Sequence, residues 1–183
     1  MRTILPQEEN PALRKIARAI AIKDIKSKHV RELVDDMKEL LSHEEYGVAL
    51  AAPQLGEPIK LFIVSGRALA RDKRNTEDGP DRKDDEDLKP LPDQVYINPE
   101  LLKLSRKKND KHEGCLSIRG QWGVVPRAEK ATVRAYDEEG RLFTRGASGF
   151  LAHVFQHEMD HLNGILYIDK ATELYDDERD KEE

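Results

Sequence analysis

The feature that most constrains this chain is a His-Glu-x-x-His motif near its end, spanning His157 to His161. A spacing of four residues places the two imidazoles on one face of a helix, one turn apart, with Glu158 beside the first of them. Imidazoles in this arrangement can hold one divalent metal while the carboxylate takes a proton from a water. An ordinary amphipathic helix can carry the same letters, so the rest of the chain must decide between the two interpretations.

Apolar residues at helical spacing occur before and after a long run of strand-like sequence. They predict two N-terminal helices and one late helix, over 11–20, 25–43 and 150–163. Ser148 can cap the late helix and Gly164 can end it. Strands are predicted over 59–64, 95–99, 123–126, 131–136 and 141–144, with a hairpin turn at 137–140. This order indicates an α+β fold, with antiparallel sheets packed around the motif helix.

Length and composition narrow the class of protein. The chain has 183 residues, of which 37% are charged, and this fits one well-solvated domain over residues 1–183. No apolar run approaches the roughly 20 residues that a membrane-spanning helix needs. The N-terminus lacks the apolar core of a secretory signal, so we expect a cytoplasmic protein. The single cysteine, Cys115, excludes an internal disulfide.

Two segments are dense in charge. Residues 67–93 mix acids and bases with prolines and glycines and show no periodicity, which predicts a long exposed loop inserted into the domain. Residues 173–183 hold seven acids and two bases, which predicts a solvated acidic tail. Neither segment offers the basic surface that RNA binding requires. We therefore expect no direct nucleic-acid binding, and at most a weak contact with the ribosome.

Small residues crowd the stretch between Gly47 and Gly56, and an amide side chain, Gln54, follows a proline there. One interpretation is a tight buried turn that leads into a strand. In the other, the unobstructed backbone pairs with an extended peptide, and Gln54 is an amide donor in a cleft. The stretch alone leaves both interpretations open.

A metal site on the motif helix needs a third ligand. The metzincin pattern would place a histidine at the position that Tyr167 occupies, so that pattern fails. His153 shares the face of His157, but it lies about 12 Å along the helix axis from His161, too far for one ion to bind all three. Cys115, flanked by Glu113-Gly114 and Leu116-Ser117, is the favoured candidate, because a thiolate is a strong ligand for Zn²⁺ or Fe²⁺.

Three motifs together resemble the peptide deformylase family. The family patterns G-x-G-x-A-A-x-Q, E-G-C-x-S and H-E-x-x-H correspond here to Gly47–Gln54, Glu113–Ser117 and His157–His161. The segments Ile4-Leu5-Pro6, Asn10–Arg14 and Val124–Arg127 extend the resemblance over about residues 4–170. One position departs from the pattern, since Ala49 stands where the family has its second glycine, and its methyl group predicts a narrower cleft.

The resemblance implies a hydrolase that removes the N-formyl group from the N-terminal formylmethionine of newly synthesised polypeptides and releases formate. Cys115, His157 and His161 would bind one divalent metal and leave a fourth position for water. Fe²⁺ is the expected native ion, with Zn²⁺, Ni²⁺ or Co²⁺ as alternatives. Glu158 would act first as general base and then as general acid.

The resemblance also implies how the substrate is held. The Gln54 amide and the Leu116 backbone N–H would stabilise the oxyanion. Three residues would pair with the substrate backbone as an added strand: Val48, Ala49 and Gly114. Four residues fall where the family forms its methionine pocket: Glu113, Phe150, His153 and Val154. Glu113 would also form an ion pair with Arg127.

Two other classes of protein are compatible with the same letters. A metallopeptidase would use the His-Glu-x-x-His helix to cleave peptide bonds without releasing formate. A non-catalytic relative would keep the fold while Ala49 prevents productive substrate binding.

Overall fold

The computed structural model describes residues 2–45, 47–77 and 91–176. The α-helices in these ranges are α1 (Lys28–His43), α2 (Gly66–Glu77) and α3 (Gly149–Leu162). Short 3-10 turns occur at Gln7–Glu9, Pro11–Arg14, Ile22–Asp24, Ala52–Leu55 and Tyr167–Asp169. Within the described ranges, none of the helices combines the length and the apolar character needed to cross a membrane.

The strands form two antiparallel sheets. The strands are β1 (Ala49–Ala51), β2 (Leu61–Val64), β3 (Gln94–Leu104), β4 (Lys108–Cys115), β5 (Ile118–Ala128), β6 (Lys130–Tyr136), β7 (Leu142–Ser148) and β8 (Glu173–Asp176). One sheet has the order β1-β2-β3-β6-β7, and the other has the order β4-β5-β8. The predicted α+β class with antiparallel sheets is therefore confirmed.

Helix α3 packs against the larger sheet through a continuous apolar face. Its buried side chains include Leu151, Phe155 and Leu162, which belong to the main hydrophobic cluster with residues of β1, β2 and β6. Phe155 meets the ring of Tyr96 edge-on at 5.3 Å between centroids. The helix ends where the sequence predicts, because Gly164 follows it with φ of 71°, a conformation that favours glycine. This packing fixes the helix that carries the motif.

The N-terminus of α3 receives its cap from another helix. Ser148 occupies the N-cap position, but its side chain makes no capping hydrogen bond. The Asp72 carboxylate of α2 instead accepts from the Leu151 N–H. Because this donor would otherwise be an unpaired helix-end group, α2 stabilises the start of the motif helix.

The predicted loop over 67–93 is wrong in its first part, since α2 occupies it up to Glu77. Ala68 and Leu69 of α2 are buried in the main cluster. The Asp93 carboxylate accepts from the Gly66 N–H at 2.7 Å and so caps the helix from a distant part of the chain. The many charged residues of this segment masked the short apolar face of α2 in the sequence pattern. Residues 78–90 of the predicted loop lie outside the described residues.

The predicted helix over 11–20 is also wrong beyond Arg14. Instead of forming hydrogen bonds within a helix, the backbone there bonds to distant segments. The Ala17 N–H donates to Leu162 O at 2.9 Å, and the Arg18 N–H donates to Pro58 O at 2.8 Å. Ile16, which the helical pattern placed on a buried face, is 74% exposed. Hydrogen bonds to distant segments therefore override the local apolar spacing.

The acidic tail begins as a strand. Residues 173–176 form β8 and pair antiparallel with β5, with Tyr175 opposite Trp122. All four side chains are exposed, so charge and pairing are compatible at this sheet edge. These four residues are solvated, as the sequence predicts for the acidic tail, but they form a strand that the sequence pattern did not predict, and 177–183 lie outside the described residues.

Candidate metal centre

Three side chains that can bind a metal converge at one place. One ligand atom from each of Cys115, His157 and His161 lies within 4.8 Å of the others. Cys115 is the last residue of β4, and both histidines project from α3. The Cys115 Sγ is 3.3 Å from His161 Nε2. Residues more than 40 positions apart in the chain thus form one compact donor set.

A bulge in β4 positions the cysteine. The pairing of β4 with β5 shifts register between Glu113 and Cys115, and such a bulge re-aims the side chains beside it. Gly114 sits inside the bulge, where an added Cβ would lie 3.3 Å from the ring of Trp122. A side chain at this position would push on the indole and disturb the placement of the thiol.

The donor set fits a divalent transition metal. A thiolate with two imidazoles suits Zn²⁺ or Fe²⁺. The His157 Nδ1–H donates to Glu113 Oε2 at 2.8 Å, which leaves the other ring nitrogen for an ion. Glu158 Oε2 is buried next to the donors and has no hydrogen-bond partner among the described residues.

His153, the other candidate for the third ligand, and Tyr167, at the metzincin position, both lie outside this set. His153 points its Nε2 at Glu113 Oε1, 3.1 Å away. The Tyr167 ring stacks against His157 at 6.3 Å between centroids, and its hydroxyl donates to Gln121 O at 2.8 Å. Cys115 is therefore the residue that the fold brings to the histidine pair.

The Glu113 carboxylate is a buried hub. Burial alone would raise its pKa, but hydrogen bonds from Arg127, His153 and His157 hold the pKa well below the ordinary value for glutamate. The Arg127 guanidinium donates to both oxygens, at 2.5 and 2.9 Å. Glu113 is therefore a permanent anion that orients His157.

Asp160 extends this network and was not singled out from the sequence. It accepts from Arg127 at 2.6 Å and from Lys170 at 2.6 Å, so charges alternate from the surface to His157. A signal was available, because Asp160 lies three residues after His157 and so shares its side of the helix. Gln156 was missed as well; its amide donates to and accepts from the Ala128 backbone, both at 2.9 Å.

The surroundings shift the pKa values of the two histidines in opposite directions and raise the pKa of Glu158. Burial opposes charge on His157, yet Cys115 and Glu113 raise its pKa well above the ordinary value. Burial and the neighbouring His157 lower the pKa of His161 well below it. Burial raises the pKa of Glu158 to about 7, so this group can take up and release a proton near neutral pH.

Gln54 places an amide donor beside the thiol. Its side chain is 2% exposed, and its Oε1 accepts from the Ala51 N–H at 2.8 Å. That bond orients the NH₂ group, whose nitrogen lies 3.5 Å from Cys115 Sγ and 3.4 Å from Ser117 Oγ. The stretch from Gly47 thus contains both a short turn and an amide donor that faces Cys115, one of the candidate metal ligands.

β1 lies at the edge of its sheet and presents backbone groups there. The Val48 carbonyl accepts from the Ser65 N–H at 2.8 Å and so faces β2. Alternation along a strand then turns the N–H and C=O of Ala49 toward the open edge. We call the space between this edge and Gly114–Ser117 the groove.

The remaining residues that the sequence predicts for the site are Leu116, on the β4–β5 turn, and three residues of α3: Phe150, His153 and Val154. Leu116 is half-buried in the turn between β4 and β5 and packs against a second hydrophobic cluster, which contains buried side chains of α1, β2 and β3. Phe150 and Val154 lie on the first two turns of α3 and pack with Val48 on the main cluster. His153 joins them, tied to Glu113 as described above.

The methyl group of Ala49 points into the main cluster, and the residue is 9% exposed. Ala49→Gly is therefore expected to leave kcat/KM for a formylated tripeptide within about threefold, while the gain in backbone freedom costs about 1 kcal/mol of stability. Formate release and urea unfolding measure the two effects. A gain of tenfold or more in kcat/KM would show that the methyl group obstructs the groove.

A thiolate, two imidazoles from one helix and an adjacent buried carboxylate define a mononuclear metal-dependent hydrolase built on an α+β fold. The sequence model of the polypeptide deformylase family matches residues 1–177, and the chain belongs to that family. Its activity is that of the family: hydrolysis of the N-formyl group from newly synthesised polypeptides, a metal-dependent reaction.

Individual relatives agree with this assignment. The peptide deformylase of Desulforudis audaxviator is 38% identical over 143 residues, which cover 78% of this chain and 75% of the relative. The crystal structure of a peptide deformylase from Legionella pneumophila has a TM-score of 0.72 at 31% identity and covers 94% of this chain and 86% of that one. A Met-Ala-Ser-bound structure from Acinetobacter baumannii has a TM-score of 0.73 at 30% identity, covering 93% and 99%.

Proposed function

We propose that Cys115, His157 and His161 hold one divalent ion, Fe²⁺ in the cell, and that Glu158 acts beside it on the formyl group. The observation that carries the proposal is the compact donor set, with ligand atoms within 4.8 Å, next to a buried carboxylate. Zn²⁺, Ni²⁺ and Co²⁺ suit the same ligands. When bound, such an ion supplies Lewis acidity and makes a water nucleophilic near neutral pH.

Glu158 moves the proton. Its buried carboxylate accepts a proton from the water that attacks the formyl carbon, and then returns that proton to the leaving amine nitrogen. Burial suits it to both steps, because a carboxyl with a pKa of about 7 is neither fully protonated nor fully ionised at neutral pH. The C–N bond of the formamide breaks, and the products are formate and a free amino terminus.

Two donors stabilise the oxyanion that forms on the formyl oxygen. The Gln54 NH₂ group is directed toward the metal ligands by the bond from Ala51 N–H to Gln54 Oε1. The backbone N–H of Leu116, directly after Cys115 in the turn, is the second donor. Donors fixed before the reaction contribute without a reorganisation cost.

The substrate backbone adds a strand in the groove. Ala49 offers its free N–H and C=O from one side, and Gly114 offers its backbone from the other. Val48, which the sequence predicts to pair with the substrate, already accepts from the Ser65 N–H and so does not offer that carbonyl to the peptide. The methionine side chain packs against Phe150, His153 and Val154, with Glu113 behind them. The Acinetobacter baumannii relative, whose structure holds Met-Ala-Ser, supports a peptide in this place.

The partners follow from this chemistry. We propose N-formylmethionyl nascent peptides as substrates, in the cytoplasm, with weak ribosome contact at most and no direct binding to nucleic acid. The acidic C-terminal segment supports the last point, since phosphate backbones attract basic surfaces.

Formate release from formyl-Met-Ala-Ser by protein loaded anaerobically with Fe²⁺ tests the proposal. We expect turnover with about one metal per chain, and loss of turnover after chelation that added Fe²⁺ restores. Metal content is measured on the same samples. Cleavage of internal peptide bonds without formate, or full activity in protein free of metal, would contradict the proposed function.

A further inference from the structure

The groove fixes the direction in which a substrate peptide runs, provided that the proposed function is correct. Gln54 and Cys115 lie at one end of it, 3.5 Å apart and just beyond the C-terminal end of β1. A formyl group at Cys115 leaves the rest of the peptide to run back along β1, antiparallel to the strand and toward Val48 and Gly47. The N-terminal end of β1 is therefore the exit of the groove.

Two arginines contact the same glutamate at this exit, one from α2 and one from β5. The Gly47 N–H donates to Glu44 O at 3.0 Å, which places Glu44 at the exit. Arg67 of α2 donates to the same carbonyl at 2.8 Å. Arg119, at the start of β5, contacts the Glu44 carboxylate at 2.6 and 3.3 Å. One glutamate thus faces two guanidinium groups.

Arg71 adds a third positive charge. It lies one helical turn after Arg67, and its guanidinium carbon is 5.4 Å from the centroid of the Phe150 ring. Arg71 is exposed, and no carboxylate among the described side chains pairs with it. We call Arg67, Arg71 and Arg119 the arginine cluster. Among the described residues, the acids near the cluster are Glu44, which already pairs with Arg119, the exposed Glu45, and Asp72, which caps α3. Arg67, which donates to a backbone carbonyl, and Arg71 are the two guanidinium groups of the cluster that have no carboxylate partner among these side chains.

Distances along the groove place the cluster opposite the third residue of the peptide. Phe150 precedes His157 by seven residues, about 10 Å along the axis of α3. In an extended peptide the third residue lies about 7 Å beyond the first, and their side chains face the same way. With the methionine side chain against His153 and Val154, and Phe150 at the far end of its pocket, the third side chain lies next along the groove, beside the Arg71 guanidinium that covers the Phe150 ring.

We propose that the arginine cluster binds an acidic side chain at the third position, so that formyl-Met-x-Asp and formyl-Met-x-Glu peptides are preferred substrates. A single exposed ion pair contributes little, but several charges of one sign around a groove add, and salt screens them. The substrate class is thus formylated peptides that are acidic just downstream of the methionine.

The test compares kcat/KM for formate release from formyl-Met-Ala-Glu-amide and formyl-Met-Ala-Lys-amide. The amide end removes a terminal carboxylate that would itself bind arginine. At low salt we expect a preference for the glutamate peptide of roughly fivefold to tenfold, falling toward one in about 0.5 M NaCl. Arg71→Gln and, separately, Arg119→Gln are expected to lower the preference to about twofold or less.

A matched control separates the cluster from total charge. Arg106→Gln removes an exposed arginine from the turn between β3 and β4, at the far end of β4 from Cys115, and should leave the preference unchanged. A wild-type ratio near one, a ratio insensitive to salt, or a ratio unchanged in both cluster variants would overturn the proposal. If Arg71→Gln fails to fold, Arg119→Gln and the salt dependence decide. If the proposed function itself is wrong, neither peptide releases formate, and this result is distinct from equal release from both.

Discussion

Replacing Glu158 with glutamine is expected to lower kcat/KM for formate release by about 10²-fold to 10⁴-fold, the usual contribution of a general acid–base group. Glutamine keeps the size of the side chain but can neither accept nor return a proton. Glu158 is 3% exposed, and its Oε2 has no hydrogen-bond partner among the described residues. A buried carboxylate without a partner is what the proposed role in proton exchange requires, and it adds no hydrogen bond to the described fold.

Metal content separates this role from metal binding. Glu158→Gln should retain about one ion per chain, because the proposed ligands are Cys115 and the two histidines. Glu100→Gln, which changes an exposed carboxylate on β3, should retain wild-type turnover. Residual activity above about a tenth of wild type in Glu158→Gln would mean that another group moves the proton.

The site could be predicted from sequence where its chemistry is local. The spacing of His157 and His161 on a helix already places both rings together, and α3 forms as expected over Gly149–Leu162. Cys115 was favoured as the third ligand because its thiolate and flanking residues suit a metal, and the structure brings it to the histidines. The two histidines could be placed from short-range helix geometry, and Cys115 could be favoured from the type of ligand atom that it offers.

The parts that failed depend on contacts between distant segments. Helix α2 is capped by Asp93 and in turn caps α3 through Asp72, and neither contact leaves a mark on the local charge pattern. The segment after Arg14 has helical apolar spacing, yet it pairs with Pro58 and Leu162. Asp160 looked like an ordinary polar residue because its partner, Arg127, lies 33 positions away.

Removing Arg127 is expected to produce the largest loss of stability. Its side chain is 3% exposed, and it holds Glu113, which is fully buried, and Asp160 at the same time. Arg127→Met leaves a buried carboxylate without its main counter-charge, which costs about 3–5 kcal/mol of unfolding free energy. Urea unfolding of protein freed of metal measures this, because bound metal would add its own contribution.

Two further variants show whether the loss comes from the stranded charge. Glu113→Gln combined with Arg127→Met removes both charges, and His157 can still donate to the amide oxygen. This pair should be less destabilised than Arg127→Met alone, because no charge is left buried and unpaired. Arg134→Met breaks an exposed ion pair with Glu100 and should cost less than about 1 kcal/mol. Equal losses in Arg127→Met and Arg134→Met would mean that the packing of α3, and not the ion network, holds His157 in place.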